Sequence, residues 1–179
     1  SSCAAAGGGR ARRGHGRFAR RLQAQVSSED NKAEPPRLTD EEMLARFAKS
    51  KKRPPCTETV GMRLTHVDQA KMTAGFEFEA RQDFANPTGA IQGGFIAAML
   101  DEAMSTTAII ASNVTMNAPT LEMKVSFLRP LFVGKASAEA RILKWGKATC
   151  FIEAELFDPT GQLVAKASAT QAPKLFKRF

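Results

Sequence analysis

Residues 85–112 read ANPTGAIQGGFIAAMLDEAMSTTAIIAS, a turn-rich approach that passes through a glycine pair into a long apolar run. From Phe95 onward its only charged residues are Asp101 and Glu102. A helix that is apolar on nearly every face is a buried one, so this run marks the centre of the fold. Asn86-Pro87-Thr88-Gly89 is loop sequence, because Pro fixes φ, Gly permits positive φ and Asn hydrogen-bonds locally. The helix then begins at Gln92-Gly93-Gly94. Its first N–H groups lack intrahelical acceptors and carry the positive end of the helix dipole, and Gly93 and Gly94 place no side chain in front of them. Such a terminus can bind an anion or polarise a carbonyl oxygen. The plainer reading is that the glycines let the helix pack close to a sheet and that the two acids surface at a helix edge.

The flanking sequence supplies what wraps this helix. Thr39 has N-cap chemistry and Glu42 stands three residues later, a capping box, with Leu38 and Met43 at hydrophobic-staple positions. The pattern predicts an N-terminal helix to about Ala48, ended by the Lys/Arg run at 49–53 and Pro54-Pro55. Residues 60–65 and 71–79 read as a strand hairpin with His66 at its turn, a solvated loop histidine. After a connection at 113–119, strand-like segments follow at 120–128, 137–145, 148–158 and 163–172, joined by clear turn signals such as Asp158-Pro159-Thr160-Gly161. In the first of them Glu122, Lys124 and Ser126 alternate with Leu121, Met123, Val125 and Phe127, one wet face and one apolar face. The order predicts an α+β fold in which a curved antiparallel sheet wraps one central helix. Beyond Lys174 the basic end is expected to fray.

Charge divides the chain. The net charge is +8, but residues 1–56 hold 13 Lys/Arg against 6 Asp/Glu, while the remainder is nearly balanced. The basic character therefore belongs to that N-terminal stretch, of which residues 1–37 read as a leader and linker, and residues 57–179 carry no cationic stripe suited to nucleic acid. Six Arg and no acid before Val26 match the composition of an organelle transit peptide, which points to a mitochondrial or plastid matrix. A low-complexity leader with no address, and a cytoplasmic protein, is the alternative. No uninterrupted apolar run reaches the roughly 18 residues of a spanning helix. Cys3, Cys56 and Cys150 are widely spaced, and His15 and His66 are the only histidines. Neither a disulfide framework nor a zinc site is supported, and no metal or cofactor is expected.

The element order, with Asn86-x-x-Gly89-x-x-Gln92-Gly93-Gly94, Asp101, and Thr120-Leu-Glu-Met-Lys-Val-Ser-Phe-Leu-Arg-Pro130 followed by Gly134, resembles the hotdog-fold acyl-CoA thioesterases of the phenylacetate-pathway (PaaI) type. The resemblance covers about residues 38–172. It implies that Gly93 polarises a thioester carbonyl through its N–H and that Asp101 is nucleophile or general base. Asn86 and Gln92 would position the substrate, and Thr120 would lie near the attacking water. Many relatives carry His at the place of Gln92, whose amide can donate a hydrogen bond but cannot titrate near neutral pH. Phe84, Gly94, Phe95 and Met99 are candidates for the substrate pocket, with core packing as the alternative for the three large side chains.

Geometry adds a constraint. Eight helical residues separate Gly93 from Asp101, a rise of about 12 Å at roughly 1.5 Å per residue, so the two cannot serve one thioester carbon within a single chain. The resemblance implies a homodimer, with a homotetramer as a further assembly, in which the acid of one subunit faces the glycine terminus of the other. Acyl-CoA hydrolysis is the reading, without a metal. A non-catalytic acyl-CoA-binding protein, a hotdog enoyl-CoA hydratase and an inert dimeric scaffold stay open as alternatives. A carboxylate in so apolar a helix needs a donor, for which Thr120 is the candidate. Glu102, about 100° further round the helix, is expected to be a bystander.

Overall fold

Thr39 caps the first helix as its sequence requires. In the computed structural model, which describes residues 36–50 and 53–176, Thr39 Oγ1 accepts from Glu42 N at 3.2 Å and Glu42 Oε2 accepts from Thr39 N at 2.8 Å. The leader and linker read over residues 1–37 lie outside the described residues, apart from Pro36 and Arg37. The capped helix, α1, spans Asp40–Lys49 and buries Met43, with Leu38 and Phe47 packed beside it on the core. A full capping box is worth about 1 kcal/mol, enough to decide where a short helix starts.

Pro54-Pro55 do not simply stop a helix. They also start one: Pro55 is the first residue of α2, Pro55–Thr59, where a missing N–H costs nothing. This turn, followed by Gly61 at φ 61°, delays the first strand, so β1 is Arg63–Asp68 rather than residues 60–65. His66 consequently lies within β1, not at the hairpin turn. Its ring lies over Gly75, where an added Cβ would come within 2.1 Å of it and push the half-exposed ring aside.

The remaining strands are β2 Thr73–Ala80, β3 Met116–Asn117, β4 Thr120–Phe127, β5 Gly134–Trp145, β6 Cys150–Phe157, β7 Leu163–Gln171 and β8 Lys174–Leu175. Six of them form one antiparallel sheet in the order β1-β2-β5-β6-β7-β4. The expected fraying does not begin at Lys174, because β8 pairs with β3 at Met116↔Leu175 and Asn117↔Lys174. Two-residue strands carry too little pattern to be seen in sequence.

The long helix α3, Gly93–Ala111, lies on the inner face of this sheet, which is the hotdog fold with α1 as an extra N-terminal helix. Alanines line much of the inner face, among them Ala138, Ala140, Ala154, Ala165, Ala167 and Ala169, and their small side chains let the helix approach. Phe76, Phe78, Met99, Leu100, Met104, Ile152 and Leu156 fill the space between, each almost wholly buried and each contributing about 1.5–3 kcal/mol by leaving water. Averaged along its length, α3 is apolar enough to cross a membrane, which a count of uninterrupted apolar residues did not reveal, but half of that stretch is buried inside this fold.

Candidate active site

Two clusters form along α3, one at its N-terminus and one two turns further on. At the N-terminus the approach loop is built by its own polar groups. Asn86 Oδ1 accepts from Thr88 N at 2.9 Å and from Thr88 Oγ1 at 2.6 Å, and Gly89, at φ 84°, closes the turn onto Asn86 O. Its oxygen thus committed, Asn86 keeps an amide NH2 to offer. The segment after β4 anchors the rest of the approach. Ile91 N donates to the carbonyl of buried Leu131 at 2.8 Å, and Ala90 bridges to Phe132. The Leu-Arg-Pro segment after Phe127 is therefore scaffold: Arg129 Nη1 donates to Leu163 O, tying the end of β4 to β7.

Gln92 is the N-cap of α3, but its exposed side chain makes no capping bond. The Gly93 and Gly94 N–H groups meet no acceptor among the described residues, which leaves the positive end of the helix open. Nothing lies within 4 Å of where a Gly94 Cβ would stand, whereas a Gly93 Cβ would sit 3.2 Å from the Phe127 ring. Phe84 and Phe95 stack beside this end, with ring centroids 4.1 Å apart, and Arg81 lies over Phe84. Phe84 and Met99 are buried and pack in the core, while Phe95 is half-buried.

The second cluster surrounds Asp101. Thr120 Oγ1 donates to Asp101 Oδ1 at 2.7 Å, the pairing expected from the sequence. A β-bulge makes it available. Thr120 pairs with Gln171, but Glu122 pairs with Thr170, so two steps along β4 match one along β7. Strict alternation would set Thr120 on the outer face with Glu122; the bulge turns it inward toward the helix. Behind Thr120, Gln171 Nε2 donates to Thr120 Oγ1 at 3.3 Å and to Ser105 Oγ at 3.1 Å. Sequence reasoning missed Ser105, Gln171 and the Phe127 contact. A signal for Gln171 existed: it occupies the inner-face position that Ala165, Ala167 and Ala169 fill earlier in the strand.

Glu102 is not a bystander. It accepts a hydrogen bond from Thr57 Oγ1 and so fastens α2 to α3. Buried Cys150 and outer-face His66 are poorly placed to act on a substrate at this helix. Cys150 is buried, and burial pushes its thiol up to about 11, where almost no thiolate exists at neutral pH. His66 stands on the outer face of the sheet, 3.7 Å from Glu139. Asp101 and Glu102 thus both share α3 with the bare glycine terminus and both accept from a threonine hydroxyl, but Glu102 is tied to α2, whereas the donor to Asp101 stands at the start of the edge strand β4.

A family model described as thioesterase superfamily matches residues 88–165. A solved structure of a candidate thioesterase from Ralstonia eutropha, a phenylacetic acid degradation-related protein, is 30% identical, with a TM-score of 0.67, covering 73% of this chain and 98% of that one. The chain belongs to the thioesterase superfamily. A candidate esterase of Saccharolobus solfataricus is 30% identical over 101 residues, 56% of this chain and 71% of that protein. Mouse acyl-coenzyme A thioesterase 13 is 26% identical over 111 residues, 61% of this chain and 79% of the mouse protein. The PaaI protein of E. coli, at 18% identity and a TM-score of 0.65 over 76% of this chain and 96% of its own, shares the fold. Thioesterase-superfamily membership supports thioester hydrolase chemistry for this chain. The matched stretch holds Gln92, Gly93, Asp101 and Thr120; Asn86 and Gln171 fall outside it.

Proposed function

We propose that the protein is an acyl-CoA thioesterase, hydrolysing a CoA thioester to free acid and CoA at a site shared by two copies of the chain. The Gly93 N–H, reinforced by the dipole of α3, receives the thioester carbonyl oxygen and stabilises the oxyanion that develops on it. Asn86 and Gln92 offer amide donors that fix the substrate at the same terminus. Asp101 of the partner subunit attacks the carbonyl carbon or takes the proton from the water that does. The C–S bond then breaks, and the proton taken from water passes to the departing sulfur so that CoA leaves as the thiol. On the nucleophilic course water afterwards hydrolyses the acyl–Asp101 anhydride to the free acid and supplies that proton. The Thr120 hydroxyl holds that carboxylate in one orientation throughout.

The observation that carries this reading is the Thr120–Asp101 bond on the very helix whose N-terminus is bare. Along a continuous helix the two lie about 12 Å apart, which one thioester carbon cannot bridge. The surface of β4 supports a second copy. It is the sheet's edge, and Leu121, Phe127 and Phe132 on and beside it are 62%, 54% and 59% exposed. An unpaired edge flanked by large apolar side chains invites pairing with another chain. Two-fold pairing of β4 with its copy would set the two α3 helices side by side in opposite directions, Gly93 opposite Asp101.

Asp101→Asn should lower kcat for acyl-CoA hydrolysis by about a hundredfold or more, read by a thiol reagent that captures released CoA. Near-parental turnover by that variant would remove Asp101 from the mechanism, and tight acyl-CoA binding without CoA release by the parent would favour a binding protein. A mixing experiment tests the shared site. Gly93→Pro deletes the one N–H, at a helix position where proline is well tolerated. Asp101→Asn and Gly93→Pro proteins, each inactive alone, should regain about a quarter of parental activity once subunits exchange at random, because half of the mixed dimer's sites are intact. No recovery after verified exchange would place each site within one chain.

A further inference from the structure

Gln171 is wholly buried, and its Oε1 is a buried side-chain oxygen with no hydrogen-bond partner. An unpaired buried acceptor lowers stability, so its persistence calls for a reason. The reason lies in the direction of the bonds around it. The Asp101 carboxylate can only accept, so at 2.7 Å the Thr120 hydroxyl proton must point to Asp101. Thr120 Oγ1 then has lone pairs but no proton left for Gln171, so the side of the amide facing it must be the NH2. The second N–H goes to Ser105 Oγ on α3. Turning the amide over would set Oε1 against a Thr120 oxygen whose proton is committed to Asp101, and would move the two N–H donors to the place where Oε1 now meets no partner.

We infer that Gln171 is a positioning residue for the thioesterase reaction: its amide, held between Ser105 and Thr120, fixes the Thr120 hydroxyl as a donor to Asp101. The inference rests on the acyl-CoA hydrolase reading. Three elements meet in this chain of groups, the end of β7, the bulged start of β4 and the middle of α3. Gln171 touches no part of the proposed substrate path itself. Its influence runs entirely through Thr120, and the orphaned oxygen is the cost of keeping that direction.

This dependence has a signature that simple loosening of the fold lacks. Gln171→Met keeps the side-chain volume, removes both donors and removes the unpaired oxygen, so stability should change little. kcat for acyl-CoA hydrolysis should fall by about tenfold, on the order of one hydrogen bond to an ionised group, while KM stays within about twofold. In a Thr120→Val background the same substitution should cause no further loss, because the group it acts through is already gone. Ser105→Ala, which frees the other end of the amide, should lower kcat a few-fold in the parent and not in Thr120→Val. It decides the matter should Gln171→Met fail to fold. A kcat within about twofold of the parent for the folded variants, or losses that multiply with Thr120→Val, overturns the positioning role. A parent that releases no CoA from any acyl-CoA in a panel of chain lengths overturns the hydrolase reading and takes this inference with it.

Discussion

The two halves of the sheet solve the same packing problem differently. On β5 and β6 every buried inner-face residue is apolar, from Ala136 to Ile142 and from Cys150 to Leu156, and charge is confined to the outer face. On β7 and β4 the inner face admits Gln171 and Thr120, β4 is bulged, and its apolar side chains are left half-covered. Both halves touch the same helix. Polar groups inside a protein are costly unless paired, and here Thr120 pairs with Asp101 and Gln171 with Thr120 and Ser105, at the cost of one unpaired oxygen on Gln171. The first half therefore sets stability, and the second sacrifices some of it to hold a carboxylate.

Truncating the first half should produce the largest effect on folding. Leu156 is wholly buried against α3, so Leu156→Ala should cost about 2–5 kcal/mol in chemical denaturation. The folded fraction should keep its kcat. A Leu156→Ala protein that loses turnover instead of stability would break the division between the halves. Asp101→Asn, the matching change on the other side, should leave the denaturation midpoint nearly in place while turnover collapses.

The same contrast explains what could be read from the sequence. The strands of both halves were legible because alternation and turn residues state them directly: β4, β5, β6 and β7 begin and end within three residues of their expected bounds. Gly93, Asp101 and Thr120 were legible as types in a spacing. What escaped was non-periodic. The bulge at Thr120 and the Gln171 amide depend on the register of two strands 51 residues apart, and no local pattern encodes that. The α2 turn was hidden because Pro54-Pro55 signals a helix end as readily as a first turn. Likewise Glu102 looked idle because its partner, Thr57, is 45 residues away.

Glu102 gives an intermediate effect that separates neighbours on one helix. Glu102→Ala would leave the Thr57 hydroxyl, only 4% exposed, without an acceptor, at a cost of about 1–3 kcal/mol. Glu102→Gln keeps an acceptor oxygen and should lose much less. Neither should alter kcat, since the α2 contact lies on a different side of α3 from Asp101. A fall in kcat for Glu102→Ala at unchanged stability would join the two carboxylates into one functional unit.

The smallest effect belongs to the outer face of the regular half. Arg141 Nη2 lies 2.5 Å from Glu153 Oε1, and Lys166 approaches the same carboxylate at 3.5 Å. The Arg141 hydrogen bond, more than the Lys166 charge, holds the Glu153 carboxyl below its ordinary range. Arg141 is 57% exposed, so solvent and salt screen the pair, and Arg141→Ala should cost no more than about 1 kcal/mol near neutral pH. A carboxyl lowered in the folded state lends its stability above its unfolded value and loses it as pH falls through the folded one. Parent and variant should therefore differ at neutral pH, differ less in high salt, and converge in acid below the folded value of Glu153. A gap in denaturation midpoint that persists in acid would mean that the Arg141 side chain acts by packing over the sheet rather than by charge.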